Sequence, residues 1–316
     1  MMTKYSFLLP AYKGRFLDEM LRSIERQTYK DFKVVISDDC SPENLRSICE
    51  PYLKDARFNY RRNSENMGSK SLVSHWNLLV NMCDTEYLIL ASDDDVYDPL
   101  FLEKINQLTE KYPDVDLFRA KVKKIDAQGN TLAIEEPSEE FENPIRAMNS
   151  HFQQNKISCI GNYVFKTSQL EQSNCFVDFP LAWFSDDATV LNCMANGICN
   201  TQFVAFSFRE SVLNISHDKH VSAKTALLKI HATQSFYGWF QNYSQRTPTP
   251  NNESEKDIYQ SFIKKAYWRI LWQLNYYRTF IKRTDKIVLI RWIRKNRLDY
   301  GNFVHYMKAI IGVFVR

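Results

Sequence analysis

The chain has 316 residues, 44% of them hydrophobic and 25% charged, with a formal net charge of +4. That length suits one large α/β domain or one domain with a smaller appendage, and the composition excludes global disorder, which combines low apolar content with high net charge. Eight glycines, none spaced as G-x-G-x-x-G or G-x-x-x-x-G-K, exclude the usual dinucleotide fingerprint and the P-loop, and seven cysteines without a C-x-x-C pair give no support to a zinc ribbon, redox motif or disulfide framework.

In chain order, residues 5–9 and 33–37 read as short strands, and the span 15–27 between them puts Phe16, Met20, Leu21 and Ile24 on one helical face, a βαβ opening. Pro42 after Ser41 predicts a second helix starting there, with Leu45, Ile48, Cys49 and Tyr52 on one side. Residues 57–60 predict a strand and 69–82 a helix striped by Leu72, Trp76, Leu79 and Val80. The apolar strand 86–91 runs into Ser92-Asp93-Asp94-Asp95, and a helix from Asp98-Pro99 extends to about Tyr112. Such alternation predicts a parallel, doubly wound sheet. After Ala120 the pattern turns irregular, with a turn at 128–130 and an acidic stretch at 135–142. Strands at 163–166 and 202–208 flank a helix at 186–194, and from 224 onward the chain reads as helical, broken by a linker at 247–252. The N-terminal apolar stretch is too short for a secretory signal, and no apolar run approaches the roughly 20 residues that span a bilayer. The expected location is the cytoplasm, with a peripheral place on the inner face of the cell membrane left open.

Three acidic clusters carry the chemistry. Asp93, Asp94 and Asp95 follow an apolar strand, and ligands of open α/β sheets bind beyond the carboxyl ends of strands. Hard carboxylate oxygens suit Mg²⁺ or Mn²⁺, which take one or two protein carboxylates and complete their shell with phosphates and water; an acidic turn and helix cap explains the same residues equally well. Asp38-Asp39 ends the second strand, where Asp39 can accept a hydrogen bond from a base or ribose or help cap the following helix. Tyr12, after Pro10-Ala11 at the end of the first strand, can stack on a base or simply pack. Asp186-Asp187 opens a predicted helix, where carboxylates favour the positive dipole end.

Taken together the order of these pieces resembles the family 2 glycosyltransferases of the GT-A fold. The matching segments are Phe7-Leu8-Leu9-Pro10-Ala11-Tyr12, Ser23-Ile24 to Gln27-Thr28-Tyr29, residues 31–41, Asn66-Met67-Gly68, Ser92 to Asp95, and Ser185-Asp186-Asp187, covering roughly residues 4 to 215. The resemblance implies a Rossmann-like, nucleotide-binding α/β sandwich with a helical C-terminal extension, divided as a catalytic unit at 1–222 and a helical region at 223–316. It implies that Pro10, Ala11, Tyr12, Asp39 and Gly68 hold the nucleotide and that Asp93 to Asp95 contact ribose and a divalent metal, Asp94 foremost among the metal ligands. It also implies that Asp186-Asp187 lies near the acceptor, with Asp187 like the catalytic base. Ser92 stands where many members have an Asp, and Asp186 where Glu is more usual. Lys70 lies within reach of the diphosphate, although a solvated helix-start lysine suits it better. Arg209 and residues 211–216 match a phosphate-side or lid loop, and His217 or His220 a further metal ligand, for which a surface helix start is the stronger reading.

The expected activity is therefore a metal-dependent, inverting hexosyl- or hexosaminyl-transfer from a nucleotide-sugar, a UDP-sugar by family resemblance, to a glycan or lipid-linked acceptor in surface polysaccharide synthesis. Residues 261–316 hold 13 Lys/Arg against 2 Asp/Glu and interleave them with Tyr267, Trp268, Trp272, Tyr276, Tyr277, Phe280 and Trp292. Such a segment suits an anionic membrane surface or a helical subdomain packed on the catalytic one; nucleic acid fits worse, because the rest of the chain is acidic. The competing readings are a nucleotidyltransferase, whose glycine-rich basic signature residues 10–15 match poorly, and an inactive module binding membrane or nucleic acid.

Overall fold

The computed structural model describes residues 3–153, 156–211, 221–246, 250 and 252–296. Its elements are β1 (Tyr5–Ala11), α1 (Leu17–Glu25), β2 (Phe32–Asp38), α2 (Leu45–Cys49), β3 (Phe58–Arg62), α3 (Leu72–Val80), β4 (Tyr87–Leu90), β5 (Val96–Tyr97), α4 (Phe101–Lys111), β6 (Leu117–Ile125), β7 (Thr131–Ile134), β8 (Phe141–Glu142), α5 (Pro144–His151), β9 (Tyr163–Lys166), α6 (Thr167–Gln172), α7 (Ser185–Asn192), β10 (Ile198–Arg209), α8 (Ala223–Ser244), α9 (Glu253–Tyr277) and α10 (Arg283–Lys295).

The sheet runs β3-β2-β1-β4-β9-β6-β10-β5, with β7 on β6 and β8 on β10. Strands β3, β2, β1 and β4 are parallel, as the alternation predicts. Beyond β4 the sheet is mixed, not parallel: β9 lies antiparallel to both β4 and β6, and β5 antiparallel to β10. The sequence could not show this, because a short buried strand such as Tyr163-Val164-Phe165 is an apolar run in either direction. Residues 117–125, read as irregular past Ala120, form one long strand, and Asn143 caps α5 by accepting the Arg146 N–H, with Pro144 at the first helical position.

Local side chains also move the start of α2. Asp38 Oδ1 accepts the Ser41 N–H at 2.8 Å and Ser41 Oγ accepts the Glu43 N–H at 3.1 Å, so residues 39–43 stay a loop and the helix begins at Leu45, capped by Asn44 rather than entered at Pro42.

Strand β1 is buried on both faces, and its alternation splits two cores. Phe7, Leu9 and Ala11 pack toward α1, α2 and α4, while Leu8 joins the core made by α3, α5, α7 and the C-terminal helices. Phe236 and Phe240 of α8 and Phe262 and Ile270 of α9 sit in that second core, fully buried. The C-terminal helices thus share a core with the sheet. Tyr277 is buried and Tyr267, Phe280 and Trp292 pack partly inward, whereas Trp268, Trp272 and Tyr276 stay exposed. Among the described residues no helix is long and apolar enough to cross a membrane. The expected linker falls mostly outside the described residues, and α9 opens with Asn252 accepting the Glu255 N–H at 2.9 Å.

Candidate active site

Because β2, β1 and β4 are parallel neighbours, the loops after them leave the same edge of the sheet. Asp93, in the loop after β4, accepts the backbone N–H groups of Tyr12 and Lys13 on one oxygen at 3.0 and 2.8 Å, tying that loop to the end of β1. Tyr12, 39% exposed, is held from the other side by Ser41 Oγ, which donates to its carbonyl at 2.6 Å. Asp39 is buried at the end of β2; its Oδ1 accepts from Asn63 Nδ2 and the Met67 N–H, both at 2.9 Å, and its Oδ2 accepts the Gly68 N–H at 2.7 Å. A Cβ at Gly68 would stand 3.0 Å from that Oδ2, a tight contact that favours glycine here. Asp39 therefore shapes the Asn66-Met67-Gly68 loop directly. Behind it the buried His75 bridges Ser37 Oγ (2.9 Å) and Asn63 Nδ2 (3.2 Å), with burial lowering its proton affinity.

The three consecutive acids separate by environment. Asp93 and Asp94 are half-buried; burial raises both, and with the charge of Asp93 beside it Asp94 reaches about 6. Asp95, expected to share the metal, is only 1% exposed, and its Oδ1 accepts the Arg209 N–H at 2.9 Å; burial and the neighbouring Asp94 push its carboxyl far up. Crowded carboxylates that hold protons too well are a donor set a divalent cation relieves; Asp93 and Asp94 are both half-buried, and one oxygen of Asp93 is engaged by the Tyr12 and Lys13 N–H groups. Among the described residues no three His, Cys, Asp or Glu side chains converge on one point; the carboxylates at this strand edge are one or two in reach, the number Mg²⁺ or Mn²⁺ takes from protein when phosphates and water complete its shell.

The acidic pair sits on the first turn of α7, preceded by strained backbone. Leu181, Ala182 and Phe184 all have φ near +60°, a left-handed conformation that non-glycine residues adopt at a cost of about 1–3 kcal/mol each. The C-terminal helices hold this segment in place: Phe184 stacks on Phe236 of α8 at 4.4 Å and 7°, and Trp183 meets Tyr277 of α9 edge-on at 5.8 Å with Lys229 Nζ 4.0 Å over its ring. Asp187, 3% exposed, accepts from His151 Nε2 at 2.8 Å and pairs with Arg269 Nη1 at 3.2 Å. Burial pushes its carboxyl up, but Arg269 and His151 outweigh this and hold it below the usual range. Asp186 is half-buried, and burial with the charge of Asp187 lifts it to about 7. The buried Cys159 thiol is raised first by burial, and the charges of Asp95 and Asp186 add to the rise.

Other expectations meet different fates. Lys70 pairs on the surface with Glu65 at 2.7 Å. Arg209, expected on a phosphate-side loop, is buried: its Nε donates to the Asp94 carbonyl at 2.8 Å, Nη2 meets Glu19 at 2.7 Å, and its plane covers Phe16. It positions the acidic loop instead of facing solvent. Residues 212–216, His217 and His220 lie outside the described residues. Sequence reasoning missed His151, Arg269 and His75; the first two lie 36 and 82 positions from Asp187, and no local spacing announces them.

Comparison with known proteins adds to this geometry. The family model of Glycosyl transferase family 2 matches residues 6–167. An uncharacterised glycosyltransferase of Methanocaldococcus jannaschii is 34% identical over 121 residues, 37% of this chain and 40% of that protein. The poly(ribitol-phosphate) β-N-acetylglucosaminyltransferase TarS of Staphylococcus aureus is 23% identical over 131 residues, 40% of this chain and 22% of TarS. The chain thus spans well under two thirds of these curated relatives. Among solved structures, residues 1–349 of S. aureus TarS in complex with UDP-GlcNAc superpose with a TM-score of 0.60 at 15% identity, covering 94% of this chain and 88% of that one. The Pyrobaculum calidifontis mannosyltransferase PcManGT, in complex with GDP-Man and Mn²⁺, gives 0.56 at 14% identity over 100% and 81%. These likenesses show the fold, the GT-A architecture with a helical C-terminal region.

Proposed function

The chain belongs to glycosyl transferase family 2, and from that premise we propose that it moves a sugar, with inversion, from a nucleotide-diphosphate donor to a hydroxyl of a glycan or lipid-linked acceptor in surface polysaccharide synthesis. The observation that carries the reading is the presence of two acid clusters: Asp93-Asp94 in the loop after β4, tied to the end of β1, and Asp186-Asp187 on the first turn of α7. A UDP-sugar is the first donor to test, supported by the UDP-GlcNAc complex of TarS; the GDP-Man and Mn²⁺ complex of PcManGT supports a nucleotide-sugar with a divalent ion.

In this reading Pro10, Ala11, Tyr12, Asp39 and Gly68 form the nucleotide cradle and Asp93 reaches the ribose. Asp94 would hold a Mg²⁺ or Mn²⁺ together with the donor, while Asp95 sets the turn through the Arg209 N–H. A bound divalent ion supplies Lewis-acid neutralisation of the charge that develops on the departing diphosphate. The acceptor hydroxyl must shed its proton as it attacks, and a base near pH 7 suits that task. Asp187, the expected base, is buried and paired with Arg269 and His151, and with Asp186 beside it forms the proposed proton-accepting pair. The test is a panel of nucleotide sugars with Mg²⁺, Mn²⁺ or EDTA, read by calorimetric binding and by donor hydrolysis. One donor is expected to bind only with metal, about 10- to 100-fold more weakly in Asp94→Ala. Failure of every donor under every metal condition would remove the transferase reading.

An anionic membrane is the proposed second partner. Lys264, Trp268, Trp272 and Tyr276 recur every fourth residue along α9, and the three aromatics expose 51%, 49% and 43% of their surface. Residues 261–296 add ten Lys/Arg against one Asp. Interfacial aromatics beside cations suit the headgroup layer of anionic lipid. Co-sedimentation with vesicles of phosphatidylglycerol and phosphatidylcholine should be salt-sensitive and reduced in Trp268→Ala/Trp272→Ala. Equal recovery with neutral and anionic vesicles at low salt would dismiss the lipid partner.

A further inference from the structure

We propose that His75, on α3, is a positioning residue of the nucleotide cradle: as the neutral tautomer with its proton on Nδ1 it orients Asn63, and through Asn63 the Asp39 carboxylate that carries the Asn66-Met67-Gly68 loop. The inference rests on the transferase reading for what the cradle binds, while the hydrogen-bond chain itself needs no ligand. Ser37 lies near the end of β2, Asp39 just after it, Asn63 just after β3 and His75 on α3, so the chain ties two strand ends to the helix that follows the loop. All four side chains are buried, His75 to 1% exposure.

The donors and acceptors set the tautomer. A carboxylate only accepts, so Asn63 must turn its Nδ2 to Asp39 Oδ1, 2.9 Å away. The same Nδ2 lies 3.2 Å from His75 Nε2 and directs its second hydrogen there, so Nε2 accepts, and Ser37 Oγ at 2.9 Å donates to it as well. The ring proton then sits on Nδ1, which among the described residues has no hydrogen-bond partner and lies 3.7 Å from Asp39 Oδ1, an N–H facing an anion. The Nε2–H tautomer would serve Ser37 equally well, but it sets N–H against the Asn63 amide hydrogens and a lone pair against Asp39. A doubly protonated ring meets the first of these conflicts too. Burial lowers the ring's proton affinity, with the charge of Asp39 opposing and that of Arg61 adding, so the ring is neutral near pH 7. A carboxylate offers about four acceptor sites. Asn63 Nδ2 and the Met67 N–H take two on Oδ1 and the Gly68 N–H takes one on Oδ2, which leaves a place on Oδ2 for an N–H of a nucleobase. Without His75 the Asn63 amide is free to turn, and Asp39 loses its fixed tilt and the loop its anchor. A cradle ordered before the ligand arrives lowers the cost of binding, so His75 acts on nucleotide affinity and not on the chemical step.

The test begins with ¹⁵N NMR of the histidine rings in the full chain near pH 7, the His75 signals being those lost in His75→Gln. A protonated Nδ1 with a bare Nε2 is expected; an Nε2–H tautomer or an imidazolium overturns the proposal, and this reading holds even if a variant fails to fold. Amide hydrogen exchange at Met67 and Gly68 then reports the loop. It should speed up by about 5- to 10-fold in His75→Leu, the scale of one lost hydrogen bond, and recover in part in His75→Gln, whose side-chain oxygen can accept from Asn63. Neither measurement needs a ligand. With UDP as probe, His75→Leu should bind about 10-fold more weakly by calorimetry, and in turnover the donor KM should rise by the same factor while kcat stays within about twofold of wild type. A wild-type chain that binds no nucleotide removes the transferase reading, and with it the functional meaning of the cradle, whatever the tautomer. A folded His75→Leu with wild-type exchange at Met67 and Gly68, or one that loses kcat and keeps KM, overturns the positioning role itself.

Discussion

Asp186→Asn is expected to lower kcat for sugar transfer by about 10²- to 10⁴-fold, the usual contribution of a positioned general base, while donor binding and the fold persist. Asparagine keeps the shape and the amide oxygen that can accept the Asp187 N–H, now received by Asp186 Oδ1 at 2.9 Å, but it cannot take a proton. The wild-type enzyme should lose activity on acidification through about pH 7, because Asp186, raised by burial and by Asp187, becomes protonated there. The sign follows from the role: a base works only when ionised, so the limb falls toward low pH, and in Asp186→Asn that limb should vanish from the residual rate. Asp187→Asn should behave differently. It leaves Arg269 and His151 without the carboxylate they converge on, so stability and activity fall together. Measuring kcat from pH 5.5 to 9 in both variants, beside unfolding curves, separates them; a wild-type kcat in Asp186→Asn would leave the base role to Asp187 alone.

Phe236→Ala is expected to cost about 3–5 kcal/mol of stability, the range for deleting a buried aromatic ring. Phe236 is fully buried on α8, stacks on Phe184, and touches Phe179 at 6.2 Å and Trp239 at 5.6 Å between ring centres. The loss should reach function as well as folding, because Phe184 holds the left-handed turn that aims the first residues of α7. Once its stacking partner is gone, the turn can relax toward ordinary backbone and carry Asp186 with it. Denaturant midpoints and kcat at a temperature where the variant stays folded are the two readouts. A loss of under about 1 kcal/mol would mean the C-terminal helices rest on the sheet without supporting it.

Much of the site could be read from residue order, for a physical reason. Parallel strands end at one edge, so an apolar run followed by acids predicts both a strand and the place where its side chains meet a ligand. Asp39 after β2 and Asp93-Asp94 after β4 were legible in that way, and the motif order identified the family that the comparison with known proteins then showed. The reading weakened after Ala120, where strand direction depends on which edge the chain re-enters. Nothing in Tyr163-Val164-Phe165 tells that β9 runs against β4.

What the sequence determined by itself was the family, the α/β class and the identity of the acids, since these follow from local periodicity and from strand ends. Tertiary structure alone decided what each acid touches. Asp93 to Asp95 and Asp186-Asp187 are runs of one letter, yet Arg209 from β10 and Arg269 with His151 from α9 and α5 engage Asp95 and Asp187 and leave Asp94 and Asp186 half-buried. A carboxyl's proton affinity depends on burial and on charges a few ångströms away, and those neighbours lie up to 114 positions distant along the chain. The C-terminal helices show the same division. Their charge and aromatics were plain in the sequence, but only packing separated Phe236 and Tyr277, which support the acidic turn, from Trp268, Trp272 and Tyr276, which face outward.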